Sequence, residues 1–128
     1  MRIKYPKNWL LWTWKSYLAQ AQFRAVDSVG PHSLAHSIFM RAKLPLGQVC
    51  LSRGASLSID YADVMAALGR HASGDWGEAC RADWMSNDWS LENGERILSV
   101  YHDRRGTKFW IITERDRSVT TVLLPEDY

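Results

Sequence analysis

Cysteine is scarce in this chain: Cys50 and Cys80 are the only two among 128 residues. Two thiols so far apart exclude a disulfide framework, a CxxC redox pair and a thiolate metal site, and favour a reducing compartment in which each acts as a small apolar residue. Long apolar runs are missing as well. The stretch Trp9 to Trp14 follows Arg2, Lys4 and Lys7 and precedes Ala19-Gln20-Ala21, which looks like a signal-peptidase site. Lys15 ends that stretch before it reaches the ~7–15 apolar residues an export signal needs. Nothing approaches the roughly 20 apolar residues that span a bilayer, so a soluble, cytoplasmic protein is expected, with no membrane partner. No G-x-S-x-G elbow, phosphate-cradling glycine loop, internal repeat or low-complexity segment occurs. A hydrophobic fraction of 46% with a net charge of only +2 excludes intrinsic disorder, and the length supports one core rather than two full domains.

Aromatic residues are plentiful: seven Trp, five Tyr and three Phe. The near-neutral balance conceals a division. Residues 1–45 carry seven basic residues against the single acid Asp27, a balance of +6, while residues 46–128 carry nine against thirteen, a balance of −4. The chain therefore reads as a basic, Trp-rich arm (1–45) joined to an acidic body (46–128), the two forming one cooperative unit. Such asymmetry suits a polyanion-binding arm, or a positive arm folded on its own negative body.

The spacing of Leu10, Trp14, Leu18, Ala21, Ala25 and Val29 predicts a helix from Asn8 to Val29, stopped by Gly30-Pro31, and a second follows from His32 to Lys43. In the body, Gly47–Ser52 reads as a short strand ended by Gly54. A helix is predicted from Asp60 to His71, capped by Asp60 or Ser58, with Val64, Met65 and Leu68 inward, and another from Asp83, as its cap, to Asn93, stopped by Gly94. Three strands follow, Arg96–His102, Thr107–Thr113 and Ser118–Leu124, joined by turns short enough to force an antiparallel meander. Apolar residues fall on both faces of the middle strand, so the helices cover one face and something else part of the other. The expected fold class is α+β: N-terminal helices, then a three-stranded antiparallel meander, with Gly47–Ser52 as a fourth short strand, packed by two helices.

Several pieces of the body resemble a known family: Leu46-Gly47-Gln48-Val49; Arg70-His71-Ala72-Ser73-Gly74-Asp75-Trp76-Gly77; Asn87-Asp88; Leu98-Ser99-Val100-Tyr101; Gly106-Thr107-Lys108; and the tail from Trp110 to Ser118 with Thr120-Thr121, Leu123-Leu124-Pro125 and Tyr128. This family comprises small, functionally uncharacterised proteins carried on plasmids and integrated elements, prophages included, of proteobacteria. Its members are called plasmid-related proteins and are sometimes given a restriction-subunit label. The resemblance covers about two-thirds of the chain, leaves out residues 1–45, and departs at Trp84 and Trp89, where relatives are more charged. It implies a mobile-element origin and a cytoplasmic setting, and no reaction.

Three constellations carry candidate chemistry. In the glycine-flanked turn His71 to Glu78, His71 and Asp75 would make a general-base pair or, with Glu78, hold a divalent cation; the bland alternative has Asp75 binding turn amides, Trp76 plugging the core and His71 ending a helix. The strand ends gather Tyr101, His102, Arg104, Arg105, Lys108, Arg115, Arg117 and Tyr128, residue types that suit metal-free RNA cleavage, although Asp103, Glu114 and Asp116 offset their charge. In the arm, Tyr5, Trp9, Trp12, Trp14, Tyr17 and Phe23 interleave with Arg2, Lys4, Lys7, Lys15 and Arg24. Trp14 shares the inward face of its helix, whereas Trp9 and Trp12 are left to cover the sheet, form a dimer seam or anchor a partner.

The sum favours a non-enzymatic binding protein of a mobile genetic element that occupies a host macromolecule, anti-defence action (anti-CRISPR or anti-restriction) being one form. The expected partner is a host protein or complex, contacted through Trp9, Trp12, Lys4, Lys7 and Lys15; a homodimer is a further option, and no metal or cofactor is expected. The alternatives are a small nuclease or toxin using His71, Asp75, His102 and Arg104, and a nucleic-acid-binding regulator acting through the basic aromatic arm.

Overall fold

Short polar residues and glycines set the element boundaries in the computed structural model, which describes residues 12–13 and 42–128. Two residues, Trp12–Thr13 (β1), and Gln48–Leu51 (β2) precede three helices: Arg53–Ser58 (α1), Tyr61–Ala72 (α2) and Arg81–Asn93 (α3). Strands Ile97–His102 (β3), Lys108–Thr113 (β4) and Val119–Leu123 (β5) follow, then a 3-10 turn over Pro125–Asp127. Ser52 caps α1 by accepting from the Ala55 amide, and Asp60 caps α2 by accepting from Ala62. Gly94, at φ 67°, closes α3 in the left-handed conformation that ends helices. Among the described residues no helix is long and apolar enough to cross a membrane.

The α+β class holds, but the sheet is mixed rather than a plain meander. Its order is β1-β2-β5-β4-β3. Strands β3, β4 and β5 pair antiparallel as their tight turns require, whereas β2 lies parallel to β5, with Gln48 opposite Val119 and Leu51 opposite Val122. Three helices and two strands intervene between β2 and β5, which is ample chain for a parallel crossover. The body holds one helix more than expected. Gly54 reads as a strand breaker, yet it lies inside α1, where the Asp127 carboxylate fills the space a Cβ would need. The cap of α3 is also moved: Cys80 holds that position without a side-chain hydrogen bond, and Asp83 is a first-turn acid. Cys80 is exposed, against the expectation of two core thiols, while Cys50 is buried and its thiol pKa is raised by burial.

The two predicted N-terminal helices lie almost wholly outside the described residues. Where they overlap, at Trp12–Thr13 the backbone is extended and pairs antiparallel with β2, Trp12 opposite Leu51 and Thr13 opposite Cys50, and at Ala42–Lys43 it is not helical. An aromatic and a β-branched residue suit a strand, and β2 has an open edge to be paired.

Alternation along the strands divides the sheet's faces. One face carries Val49, Leu51, Ile97, Tyr101, Phe109, Ile111 and Val122, which join Val64, Leu68, Trp76 and Leu44 in the core. The other carries Cys50, Ile112, Thr121 and Leu123, all buried, and the half-buried Leu98, Val100 and Trp110. The outer edge of β3 is covered. Val100 donates to the Trp76 carbonyl (3.2 Å) and accepts from the Glu78 amide (2.7 Å), so Trp76–Glu78 is laid along β3 as a strap.

Arg117 holds the bottom of α3. It is the one described non-glycine residue with a positive φ, 61°, a conformation that aims its guanidinium back at the helix terminus. It donates to Ser90 O (2.9 Å), which also accepts from the Gly94 and Glu95 amides, and to Glu95 O (2.6 Å) just beyond the helix. Arg117→Ala should therefore cost about 1.5–3 kcal/mol, the range for hydrogen bonds to a charged group, read as a lower urea midpoint at unchanged slope.

Candidate binding surface

His71 is fully buried, and both ring nitrogens are occupied: Nδ1 lies 2.6 Å from Ser99 Oγ and Nε2 2.8 Å from Thr113 Oγ1. The chain continues from Thr113 to Thr120 (2.7 Å), whose hydroxyl donates to the Leu46 carbonyl (2.7 Å). A carbonyl only accepts, so the direction of every bond follows. Thr120 spends its proton on Leu46, Thr113 donates to Thr120, His71 donates from Nε2 to Thr113, and Ser99 donates to the bare Nδ1. The imidazole is the neutral Nε2–H tautomer. Burial, helped by the Arg117 charge, lowers its pKa to about 3. A neutral ring with no free nitrogen and no route to solvent is scaffold; it cannot act as a general base on a substrate.

The structure does not join His71 to Asp75. The Asp75 carboxylate takes the Arg70 guanidinium at 2.7 and 3.3 Å and the Gly77 amide at 3.0 Å. The Arg70 hydrogen bond is the main cause of its lowered pKa. Its backbone carbonyl accepts from the Tyr101 hydroxyl (2.6 Å). Asp75 thus ties the turn after α2 to the sheet. Trp76 plugs the core as expected, and its indole Nε1 donates to Asp88 on α3 (2.8 Å).

Arg104 is likewise committed. Its side chain lies 3.0 Å from Asp63 through both Nε and Nη2, and its backbone amide also reaches that carboxylate at 3.1 Å, which pins the β3–β4 turn to the start of α2. Those bonds hold the Asp63 carboxyl below its usual range. Arg105 reaches the Ser58 carbonyl, and Arg115 pairs with Glu95 at 3.2 Å. Among the catalytic candidates, His102 keeps one ring nitrogen free: Nδ1 meets Glu78 at 2.5 Å, while Nε2 has no hydrogen bond within the described residues.

Exposed apolar surface gathers on α3. The inward side of this helix is fastened to β3 by polar bonds: Asn87 donates to Leu98 O (2.7 Å) and accepts from Leu98 N (3.3 Å), and Trp84 Nε1 donates to Gly77 O (3.2 Å). Asn87 therefore occupies backbone groups at the sheet edge in the manner of a strand. On the outward side Met85 and Trp89, one helical turn apart, are 65% and 57% exposed. Arg81, Asp88 and Glu92, spaced by two turns and then one, line one flank of the pair. Residue-type reasoning directed attention to Trp9 and Trp12 and left Met85 unremarked. Trp9, Lys4, Lys7 and Lys15 lie outside the described residues, and of Trp12 only the strand backbone is described.

The chain matches no protein-family model, no curated protein and no solved structure.

Proposed function

We propose that this is a non-enzymatic binding protein, with the outward face of α3 as the contact surface and a host protein as the macromolecule it occupies. The observation that carries the reading is the Met85–Trp89 pair, two large apolar side chains held in open solvent on a helix whose other side is rigidly fastened. Trp is the residue most enriched at binding hot spots, and Met adapts its shape to an uneven partner. Three of the four catalytic candidates are bound up in holding the fold together, which further supports binding over reaction. A mobile-element setting with anti-defence action fits the family resemblance and belongs to the same proposal, as does a second contact through Trp9 and Trp12 of the basic arm.

Immobilised protein should retain a host protein at a stoichiometric ratio. The double variant Met85→Ala, Trp89→Ala should weaken that retention about thirty-fold or more, as expected for loss of a hot spot worth about 2 kcal/mol. Both residues are exposed, so its melting temperature should stay within about 2 °C of the parent. Undiminished retention would remove α3 from the interface, and retention of nothing would remove the function.

A further inference from the structure

On the face of the sheet turned away from the core, cationic groups and aromatic rings form one line along β3 and β4. Lys108 and Trp110 are next-but-one neighbours on β4 and so share this face. His102 lies directly opposite Lys108, and Val100 opposite Trp110. Tyr128 sets its ring edge-on to Trp110, 5.7 Å between centroids at 67°. Arg96 spreads its guanidinium over the Tyr128 ring at 5.6 Å and reaches the phenol oxygen at 3.3 Å.

The line is chemically available. Lys108 is exposed and has no ion pair or hydrogen bond within the described residues, and His102 presents Nε2 with Nδ1 fixed by Glu78. Tyr128 is 54% exposed, and Trp110 is half-buried beside it. Arg96 is half-buried, its Nε enclosed and without a partner, so it faces the stripe through the outer part of its guanidinium. From His102 to Arg96 the stripe runs about 20 Å at the strand rise per residue. The remainder of this face, at Ile112, Thr121 and Leu123, is closed, which confines a ligand to the β3–β4 half.

We propose that this stripe binds single-stranded nucleic acid, with Lys108, His102 Nε2 and Arg96 taking phosphates and Tyr128 with Trp110 taking bases. A cationic track beside stacking rings is the recurrent design for single strands, because each unpaired base offers a ring face to aromatic side chains. A duplex keeps those faces inside its own stack and so gains only the charge contacts. The site is separate from the α3 surface, and either can fail without the other.

The test uses the full chain and three probes: a fluorescein-labelled 12-residue oligouridylate, the same strand annealed to oligoadenylate, and inorganic polyphosphate as competitor. Binding is read by fluorescence anisotropy. The single strand should bind at least tenfold more tightly than the duplex, with log K falling against log salt at a slope of about −1.4 for the two phosphate contacts of Lys108 and Arg96. Lys108→Glu should weaken it tenfold or more. Tyr128→Ala, at an exposed position where the fold should stand, should weaken it about five- to tenfold without altering polyphosphate competition per unit charge. Absence of saturable binding overturns the proposal. So does binding that both variants leave intact, or that duplex and polyphosphate match, since charge in residues 1–45 would then suffice.

Discussion

Acidification from neutral pH should destabilise the protein well before its carboxylates begin to protonate. An unfolded His71 has the ordinary imidazole pKa of 6.5, and in the fold it is lowered to about 3. Between those values the unfolded chain holds a proton that the folded chain refuses, so stability drops as pH falls, by about 1.4 kcal/mol per pH unit in the middle of the window. The whole window is worth about 4–5 kcal/mol, a large share of the roughly 5–15 kcal/mol that holds a domain together. Asp63, Asp75, Asp103 and Asp116 are lowered from an ordinary carboxylate value of 3.8, so their contributions begin to be lost about one unit above that value and go mostly below it. The slope between about pH 6 and pH 5 is thereby assigned to His71. Urea midpoints across that range should fall steadily for the parent. In His71→Gln they should start lower, by about 1–3 kcal/mol for the disturbed hydrogen-bond chain, and then change little. Equal slopes in the two proteins would show that His71 does not stay neutral in the fold.

Gly77→Ala should be nearly as damaging. Gly77 has φ 67°, and a Cβ there would sit inside contact distance of the Val100 carbonyl oxygen and the Tyr101 ring. The left-handed conformation costs about 1–2 kcal/mol for a residue with a side chain, and the forced displacement of packed groups about 1–3 kcal/mol more. The displaced groups belong to the strap that covers β3 and seats Trp76, so the loss should appear as a lower melting temperature by near-ultraviolet circular dichroism. Gly106 provides the internal comparison: it has φ 84° and open space around it, so Gly106→Ala should carry only the conformational cost, about 1–2 kcal/mol. Equal melting of the two variants would mean that the strap is not tightly packed on β3.

Much of the body was legible in the sequence because local signals determine it. The turns Asp103–Gly106 and Glu114–Arg117 are short, so β3, β4 and β5 had to be antiparallel neighbours. Asp60 and Gly94 carry helix-boundary chemistry that tertiary contacts did not override. What escaped depends on contacts distant in sequence. The parallel pairing of β2 with β5 leaves no local trace. Helix α1 leaves no such trace, since Gly54 reads as the end of the preceding strand and the reason for that glycine, the approach of Asp127, lies far away in the sequence.

The site followed the same logic. Pairing His71 with Asp75 by sequence proximity failed because the helix end turns the imidazole into the core and leaves the carboxylate at the surface with Arg70. A signal for the true partners was available. Ser99 stands between Ile97 and Tyr101, Thr113 follows Phe109 and Ile111, and Thr120 precedes Val122, each at the alternation of the core face. Three hydroxyls at core positions required a buried polar partner, and a histidine near the end of an amphipathic helix could supply it. The exposure of Met85 was harder to see, because α3 is fastened inward through Asn87 and Trp84 rather than through a clear apolar stripe.

The central claim, that the protein acts by contact through α3, is tested most directly by nuclear magnetic resonance on isotope-labelled protein titrated with the retained host protein. The backbone amides of residues 84–93 and the Trp89 indole should shift or broaden first and most, while the His71, Ser99 and Thr113 signals of the buried chain stay in place. Perturbations confined to other surfaces, with α3 unchanged at saturation, would contradict it.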